Sequence, residues 1–332
     1  MITVCLPTYN DMRFLDERLS SLSHQLPVEF DVVACDSAST DGTFECLSTV
    51  EGLSLDVYTV PREGAYAGWN ECIRRASGEY VYIATADDTA YPGLLEKLSR
   101  ALDENPDVDL AYSGFDFIDS TGAIAATSRV RPLELVGQDA GSGKRNRVED
   151  LLVHCLVGVA WVTITAVLVR RRLFERIGLF RSDCGALSDQ LWAVAAACST
   201  DSIYIPERLA TWRIHDAQVS GKIPSSDYAR HRTNLREYLT KQELPEALGR
   251  DPEAVSCLIR GAERAFLRSF FLDRRHMRNR PSVFLRGFAN AFARAPNYAL
   301  QRLVRGFSWD HWIFEDELVH YTNCRNRWVS EG

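Results

Sequence analysis

The chain has no C-x-x-C pair, no basic and apolar leader, and no uninterrupted apolar run of membrane-span length. Its nine cysteines, at positions 5, 35, 46, 72, 155, 184, 198, 257 and 324, are odd in number and show no spacing that signals zinc or a disulfide framework. Several lie inside apolar runs, so reduced core cysteines of a cytosolic protein are expected. Met1 runs directly into a strand pattern, which again points to the cytoplasm. The stretch Leu151–Val169 approaches the length of a span. It is interrupted by His154, Gly158, Trp161, Thr163 and Thr165 and is rich in β-branched residues, so it reads as buried strand or loop. A net charge of −7 argues against a general nucleic-acid binder. No internal repeat or low-complexity tract is present.

What is there begins with an alternation. ITVCLPTY is a short strand, and Asn10 can cap a helix from Asp11 to about Leu26. FDVVAC, LDVYTV, YVYIA and DVDLAYSGF repeat the strand pattern. Amphipathic or turn-rich segments lie between them, including helices over Thr43–Val50 and Tyr66–Ala76. Short apolar strands alternating with helices describe a mostly parallel sheet covered on both faces. In such sheets ligands bind outside the carboxyl ends of the strands. Thr8, Asn10, Asp36, Arg62 and the pair Asp87–Asp88 all fall at such ends.

The acid pair is the sharpest of these signals. Tyr80–Ala84 is an apolar run that ends just before the two carboxylates, and Pro92 follows at the expected first position of the helix GLLEKLSRALDE. Adjacent carboxylates at the end of a buried strand are costly unless a cation or a hydrogen-bond network compensates them. Hard divalent cations take oxygen ligands and keep room for phosphates. The plainer alternative is a solvated loop.

Further along, residues 120–147 are mixed and polar, WVTITAVLVRR reads as a strand, and RRLFERIGLF as a short helix. Ser188 or Asp189 can cap the apolar helix QLWAVAAAC, and Ile203–Pro206 and Leu209–Ile214 read as two short strands before HDAQVSG. Beyond about residue 225 the chain changes character. Val255–Trp309 carries eleven arginines, no lysine, and only Glu263 and Asp273 as acids, interleaved with phenylalanines. At helical spacing this suits either an anionic membrane surface or packing against the protein's own domain.

Taken in order, LPTYN, VVACDSASTDGT, PREGAYAGWNECIRRASGEYVYIATADD, LVRRRLFERIGLF and SDQLW resemble the family 2 glycosyltransferases of GT-A fold, of the bacterial surface-polysaccharide type. The resemblance covers about residues 1–220. It implies an α/β GT-A fold with a mostly parallel central sheet, here carrying a C-terminal helical appendage. The implied domain spans 1–224, with a nucleotide-sugar-binding half over 1–112 and an acceptor-binding half over 113–224, ahead of a helical region over 225–332. The implied activity is inverting, metal-dependent transfer from a nucleotide-diphosphate sugar to a hydroxyl of a glycan or lipid-linked oligosaccharide acceptor.

Carried over by position, the resemblance places Pro7, Thr8, Tyr9 and Asn10 under the nucleobase and ribose, and gives Asp36 a hydrogen bond from the base. Asp87 and Asp88 form this chain's version of the DxD-type motif and hold Mn²⁺ or Mg²⁺, with Asp88 as the direct ligand. Asp189 is the general base. His215 belongs to a late loop that closes over the diphosphate and joins the metal site, Arg213 assists it, and Ser220 is a lesser candidate. Arg62 faces a donor phosphate or its own loop. Three departures stand out: Thr85 replaces a third acid; ahead of the G-x-Y-x-x-x-N segment the run is Pro61-Arg62-Glu63-Gly64, where some members carry a Pro–Asp-like pair before the acid; and Ile164 and Thr165 stand where a histidine is often found. The further partners expected are an anionic membrane surface met through 255–309, peripheral on the inner face of the cell membrane, and no nucleic acid; a homo-oligomer is left open. A nucleotidyltransferase of related fold would need a glycine-rich N-terminal loop that LPTYNDMRF does not have. A non-catalytic nucleotide-sugar-binding module would make Asp189 dispensable.

Overall fold

The structure, a computed structural model, describes residues 1–25, 27–125, 132–137, 141–161, 163–216, 218, 225–241, 244–262 and 315–329. They group into two compact units: 1–127, 139–147 and 161–231 in one, and 128–138, 148–160 and 232–332 in the other.

The first unit holds the whole sheet. Its strands are β1 (Ile2–Thr8), β2 (Phe30–Asp36), β3 (Leu55–Thr59), β4 (Tyr80–Ile83), β5 (Leu110–Ile118), β6 (Gly143–Arg145), β7 (Val167–Arg170) and β8 (Ser202–Arg213), in the order β3-β2-β1-β4-β7-β5-β8-β6. β1 through β4 pair in parallel, β5 pairs in parallel with β8, and β7 and β6 run antiparallel to their neighbours. Helices cover both faces, as expected for the mostly parallel α/β class. The central strands are buried on both sides, which is why β1 and β4 read as unbroken apolar runs. The main core gathers Val4, Leu6, Leu15, Leu22, Val32, Tyr82 and Leu168.

The connecting helices follow their apolar spacing. α1 (Met12–Ser23) buries Phe14, Leu15, Leu19 and Leu22; α2 is Thr43–Ser48; α3 is Ala65–Arg75; and α4 (Leu94–Asp103) buries Leu94, Leu95, Leu98 and Leu102. Pro92 lies in the turn ahead of α4 and not at its first position. Gly93, at φ +85°, holds the left-handed residue that enters the helix. The two short strands expected over 203–214 are one strand. Pro206 falls where the β5–β8 register shifts, and the sheet continues past it. Gly114 makes that irregularity fit, because a Cβ there would lie 2.8 Å from the Pro206 carbonyl oxygen.

The stretch expected as strand or loop from Leu151 is helical as far as Val157. Arg147–Leu152 is an α-helix and Val153–Val157 a π turn, both buried. A short apolar run has no periodicity to separate strand from buried helix, and only Val167–Arg170 of WVTITAVLVRR is strand. Among the described residues no helix is long and apolar enough to cross a membrane.

In the second unit, the helix Glu315–Trp328 is tied down by Arg325 to Glu149 at 2.6 Å, and by Arg327 and the Trp328 indole to Asp251 at 2.6 and 2.9 Å. Most of the arginine-rich segment, residues 263–309, lies outside the described residues, as does Ser220.

Candidate active site

Strand order puts β1 between β2 and β4, so the carboxyl ends of these three strands open on one edge. At the end of β1, Thr8 is buried and its hydroxyl donates to Asp36 Oδ1 at 2.9 Å. Asp36, at the end of β2, also accepts the Ser39 amide at 2.8 Å and the Ser39 hydroxyl at 2.5 Å. Its carboxylate is therefore held in one orientation by three donors. The loop after β1 folds over this point. Asn10 sits at φ +53°, a region that asparagine tolerates. It accepts the Thr40 amide through Oδ1 and donates its own amide to Ser39 Oγ, both at 2.8 Å. Arg62 lies over the Tyr9 ring with its guanidinium carbon 3.9 Å from the centroid, which gives the edge a flat cationic wall.

After β4, the two adjacent acids divide. Asp88 is 4 % exposed and takes hydroxyl bonds from Thr85, Thr165 and Thr163 at 2.8, 3.1 and 3.3 Å on one oxygen, and the Arg213 amide at 2.8 Å on the other. Burial, reinforced by the Asp87 charge, pushes its carboxyl well above the usual carboxylate range. Asp87 is 26 % exposed at its side chain, and its Oδ2 lies 3.0 Å from His215 Nε2. The sequence favoured Asp88 as the direct metal ligand. Its oxygens are instead spent on the protein, and Asp87 carries the accessible oxygen next to the histidine.

Arg213 was expected near the donor. It has no exposed surface: its guanidinium donates to the Asp87 carbonyl at 2.6 Å, the Asp119 carbonyl at 3.0 Å and Glu17 Oε2 at 2.6 Å, and it stacks on Phe14. It braces the backbone that carries Asp87. His215, the second residue after β8, packs its ring 4.9 Å from Phe14, and its buried Nδ1 has no hydrogen-bond partner. Asp11 completes the group. It accepts the Tyr9 amide at 2.8 Å, and burial together with the Asp87 and Asp41 charges lifts its carboxyl to about 7.

These groups suit a divalent cation. Asp87 offers a carboxylate oxygen and His215 an imidazole nitrogen, a donor pair compatible with Mn²⁺ or Mg²⁺. Among the described residues no third His, Cys, Asp or Glu joins the pair at ligand spacing, so further positions fall to water or phosphate oxygens.

Asp189 lies in the first turn of the apolar helix Ser188–Ser199 and does not bridge back as a side-chain N-cap. Its Oδ1 accepts the Gln190 amide at 2.8 Å. Burial raises its pKa above the ordinary range, and the neighbouring Tyr66 hydroxyl opposes that rise. Tyr66 also donates to the Ala186 carbonyl at 3.2 Å and packs against Trp69 and Phe180. One helical turn on, Asn70 clamps Phe180 reciprocally, donating to its carbonyl at 2.7 Å and accepting its amide at 3.0 Å. Gly185, at φ +62°, brings the loop so close to Asp227 that a Cβ would lie 2.3 Å from its carboxylate, while the Asp227 side chain accepts the Ala186 amide at 3.0 Å. The sequence reading noted the segment holding Tyr66 and Asn70 but gave neither residue a role, although their spacing of four on one helix face was a usable signal. It also missed the threonines around Asp88, for which strand position alone gives no signal.

Comparison with known proteins bears on the family and the fold. The uncharacterized protein MT1568 of Mycobacterium tuberculosis is 27 % identical over 226 residues, 64 % of this chain and 67 % of that protein. An uncharacterized glycosyltransferase of Methanocaldococcus jannaschii, MJ1057, is 29 % identical over 129 residues, 37 % of this chain and 44 % of that protein. The chain spans less than half the length of most of the curated relatives it matches. Among solved structures, residues 1–349 of Staphylococcus aureus TarS in complex with UDP-GlcNAc superpose with a TM-score of 0.62 at 17 % identity, over 99 % of this chain and 88 % of that one. That likeness bears out the expected GT-A architecture. The family described as "Glycosyl transferase family 2" matches residues 3–174, more than half of the 332, and to that family the chain belongs.

Proposed function

We propose that the protein transfers a sugar, with inversion, from a nucleotide-diphosphate sugar to a hydroxyl group of a glycan or lipid-linked acceptor. The observation that carries this reading is the partly exposed Asp87 carboxylate paired with the buried His215, at the same carboxyl edge of the sheet where β2 ends in the fixed Asp36. Asp36 accepts an N–H of the base, and Pro7, Thr8, Tyr9 and Asn10 shape the floor beneath base and ribose. Arg62, already flat on Tyr9, offers its remaining N–H groups to the diphosphate.

Asp87 and His215 are the residues that would hold Mn²⁺ or Mg²⁺. Bound there, such an ion would supply positive charge to offset that on the departing nucleoside diphosphate. Asp189 is the general base. Its carboxylate takes the acceptor proton as the oxygen bonds to the anomeric carbon, while the bond from that carbon to the diphosphate oxygen breaks and its electron pair leaves with the diphosphate. The raised pKa of a buried carboxylate suits that task, because it makes the base stronger at neutral pH. Arg213, Asp88 and the threonines keep Asp87 in place without touching substrate. Work at the inner face of the cell membrane, with contact through 255–309, belongs to this proposal and rests on sequence alone.

The test is protection against thermal unfolding by UDP-, GDP- and dTDP-sugars, with CMP-sugars as the monophosphate comparison, each with and without Mn²⁺. One diphosphate class raises the midpoint only with metal, and the Asp87→Ala variant loses that rise. A panel in which no diphosphate sugar shifts the midpoint overturns the reading.

A further inference from the structure

The second unit gathers two cysteines and a histidine that the sequence scatters. His320 and Cys324 are four residues apart on one face of the helix Glu315–Trp328, and Cys257 comes from the helix over 254–262. Cys257 Sγ lies 3.5 Å from Cys324 Sγ and 3.4 Å from His320 Nε2, and Cys324 Sγ lies 3.8 Å from the same nitrogen. Among the described residues no other group of three or more such side chains is as closely convergent.

We propose that this is a zinc site. With Zn–S bonds near 2.3 Å and Zn–N bonds of 2.0–2.1 Å, a tetrahedral ion sets its ligand atoms about 3.8 Å apart for two sulfurs and about 3.6 Å for sulfur and nitrogen. The three observed separations fall around those edges, so an ion can sit on the three ligand atoms without moving either helix far. The two sulfurs are much too far apart for a disulfide, whose S–S bond is about 2.0 Å, and both cysteines are free. Soft thiolates with one imidazole select zinc over the hard Mn²⁺ or Mg²⁺ assigned to Asp87 and His215.

A cavity of about 180 Å³ opens beside the sulfurs, lined among others by Glu253, Arg260, Asn323 and Arg327. It supplies an entry path, and water can take the fourth position. Zinc here joins two helices whose ligands stand 63 residues apart in the chain, so binding it contributes to the folding of this unit.

The experiment uses the full chain, purified reduced and without chelator. Elemental analysis is expected to find about one zinc per chain, retained through a brief EDTA wash that strips Mn²⁺. Replacing zinc by Co²⁺ gives the absorption bands of a tetrahedral thiolate complex. Cys257→Ser, His320→Ala and Cys324→Ser each lower zinc content, whereas Cys46→Ser and Asp87→Ala keep it. The Co²⁺ spectrum of the unmutated protein stands even if a ligand variant misfolds. Reduced, folded protein that carries no zinc and takes up neither Zn²⁺ nor Co²⁺ overturns the site. So does peptide mapping that finds Cys257 and Cys324 joined in a disulfide in the freshly purified chain.

Discussion

His215 Nε2 lies 3.0 Å from Asp87 Oδ2, while Asp88, the next residue, is held by three threonine hydroxyls and a backbone amide. Two neighbouring carboxylates of like chemistry therefore have different work. Asp87→Ala is expected to abolish metal-dependent donor binding and leave the unfolding midpoint near that of the parent. Asp88→Ala leaves buried hydroxyls and an amide without partners and costs on the order of 2–4 kcal/mol of stability. Calorimetric titration with donor and Mn²⁺, alongside urea unfolding, separates the two. Equal stability loss in both variants contradicts the assignment.

The Tyr66 hydroxyl stabilises the Asp189 carboxylate, and burial opposes it. Removing the hydroxyl lets burial act unopposed. Tyr66→Phe is therefore expected to move the acid limb of the pH–rate profile to higher pH and to lower kcat near neutrality several-fold. Transfer needs the ionised base, and less of it is ionised at a given pH. An acid limb that stays in place, or moves down, is the contrary result.

Gly185→Ala tests the loop that leads to Asp189. The substituent meets the Asp227 carboxylate at 2.3 Å, and the backbone at φ +62°, ψ −139° adds a further cost on the order of 1–3 kcal/mol for a residue with a Cβ. Lower stability and lower kcat are expected, with donor affinity little changed, and Asp227→Ala in the same chain should relieve the clash but not the backbone cost. A kcat like the parent's means this loop does not position the base.

Burial holds His231 at a pKa of about 4, against an ordinary 6.5. Between those values the unfolded chain takes up a proton that the folded chain refuses, so stability is fully present above pH 6.5 and declines as pH falls toward 4. The span corresponds to about 3 kcal/mol. Asp11 and Asp88, with their raised carboxyls, contribute the opposite slope over the same range, so the His231 effect is read as a difference: across pH 4–7 the denaturant midpoint of His231→Gln should lose less on acidification than the parent's.

Much of this was readable in the sequence. The edge strands of the crevice announce themselves because β1, β2 and β4 are short apolar runs, and Thr8, Asp36 and Asp87 stand at their ends by position alone. What was not legible depends on which way side chains turn. Nothing local says that Asp88 faces threonines from β7's approach while Asp87 faces His215, or that the Arg213 guanidinium is consumed inside the fold. The run after Leu151 gave no period to tell strand from helix, and Pro206 disguised one strand as two. Cys257, His320 and Cys324 carry no motif, since their meeting is a product of tertiary packing.

The central claim is that Asp189 acts on the acceptor while Asp87 and His215 serve the donor. It is tested most directly by Asp189→Asn, compared with Asp87→Ala, in paired measurements of donor binding and sugar transfer using whichever nucleotide sugar gives protection. Asp189→Asn should bind donor within about twofold of the parent and lose transfer by a factor on the order of 10² or more, the range of general-base catalysis. Transfer by Asp189→Asn at the parent's rate would contradict the account.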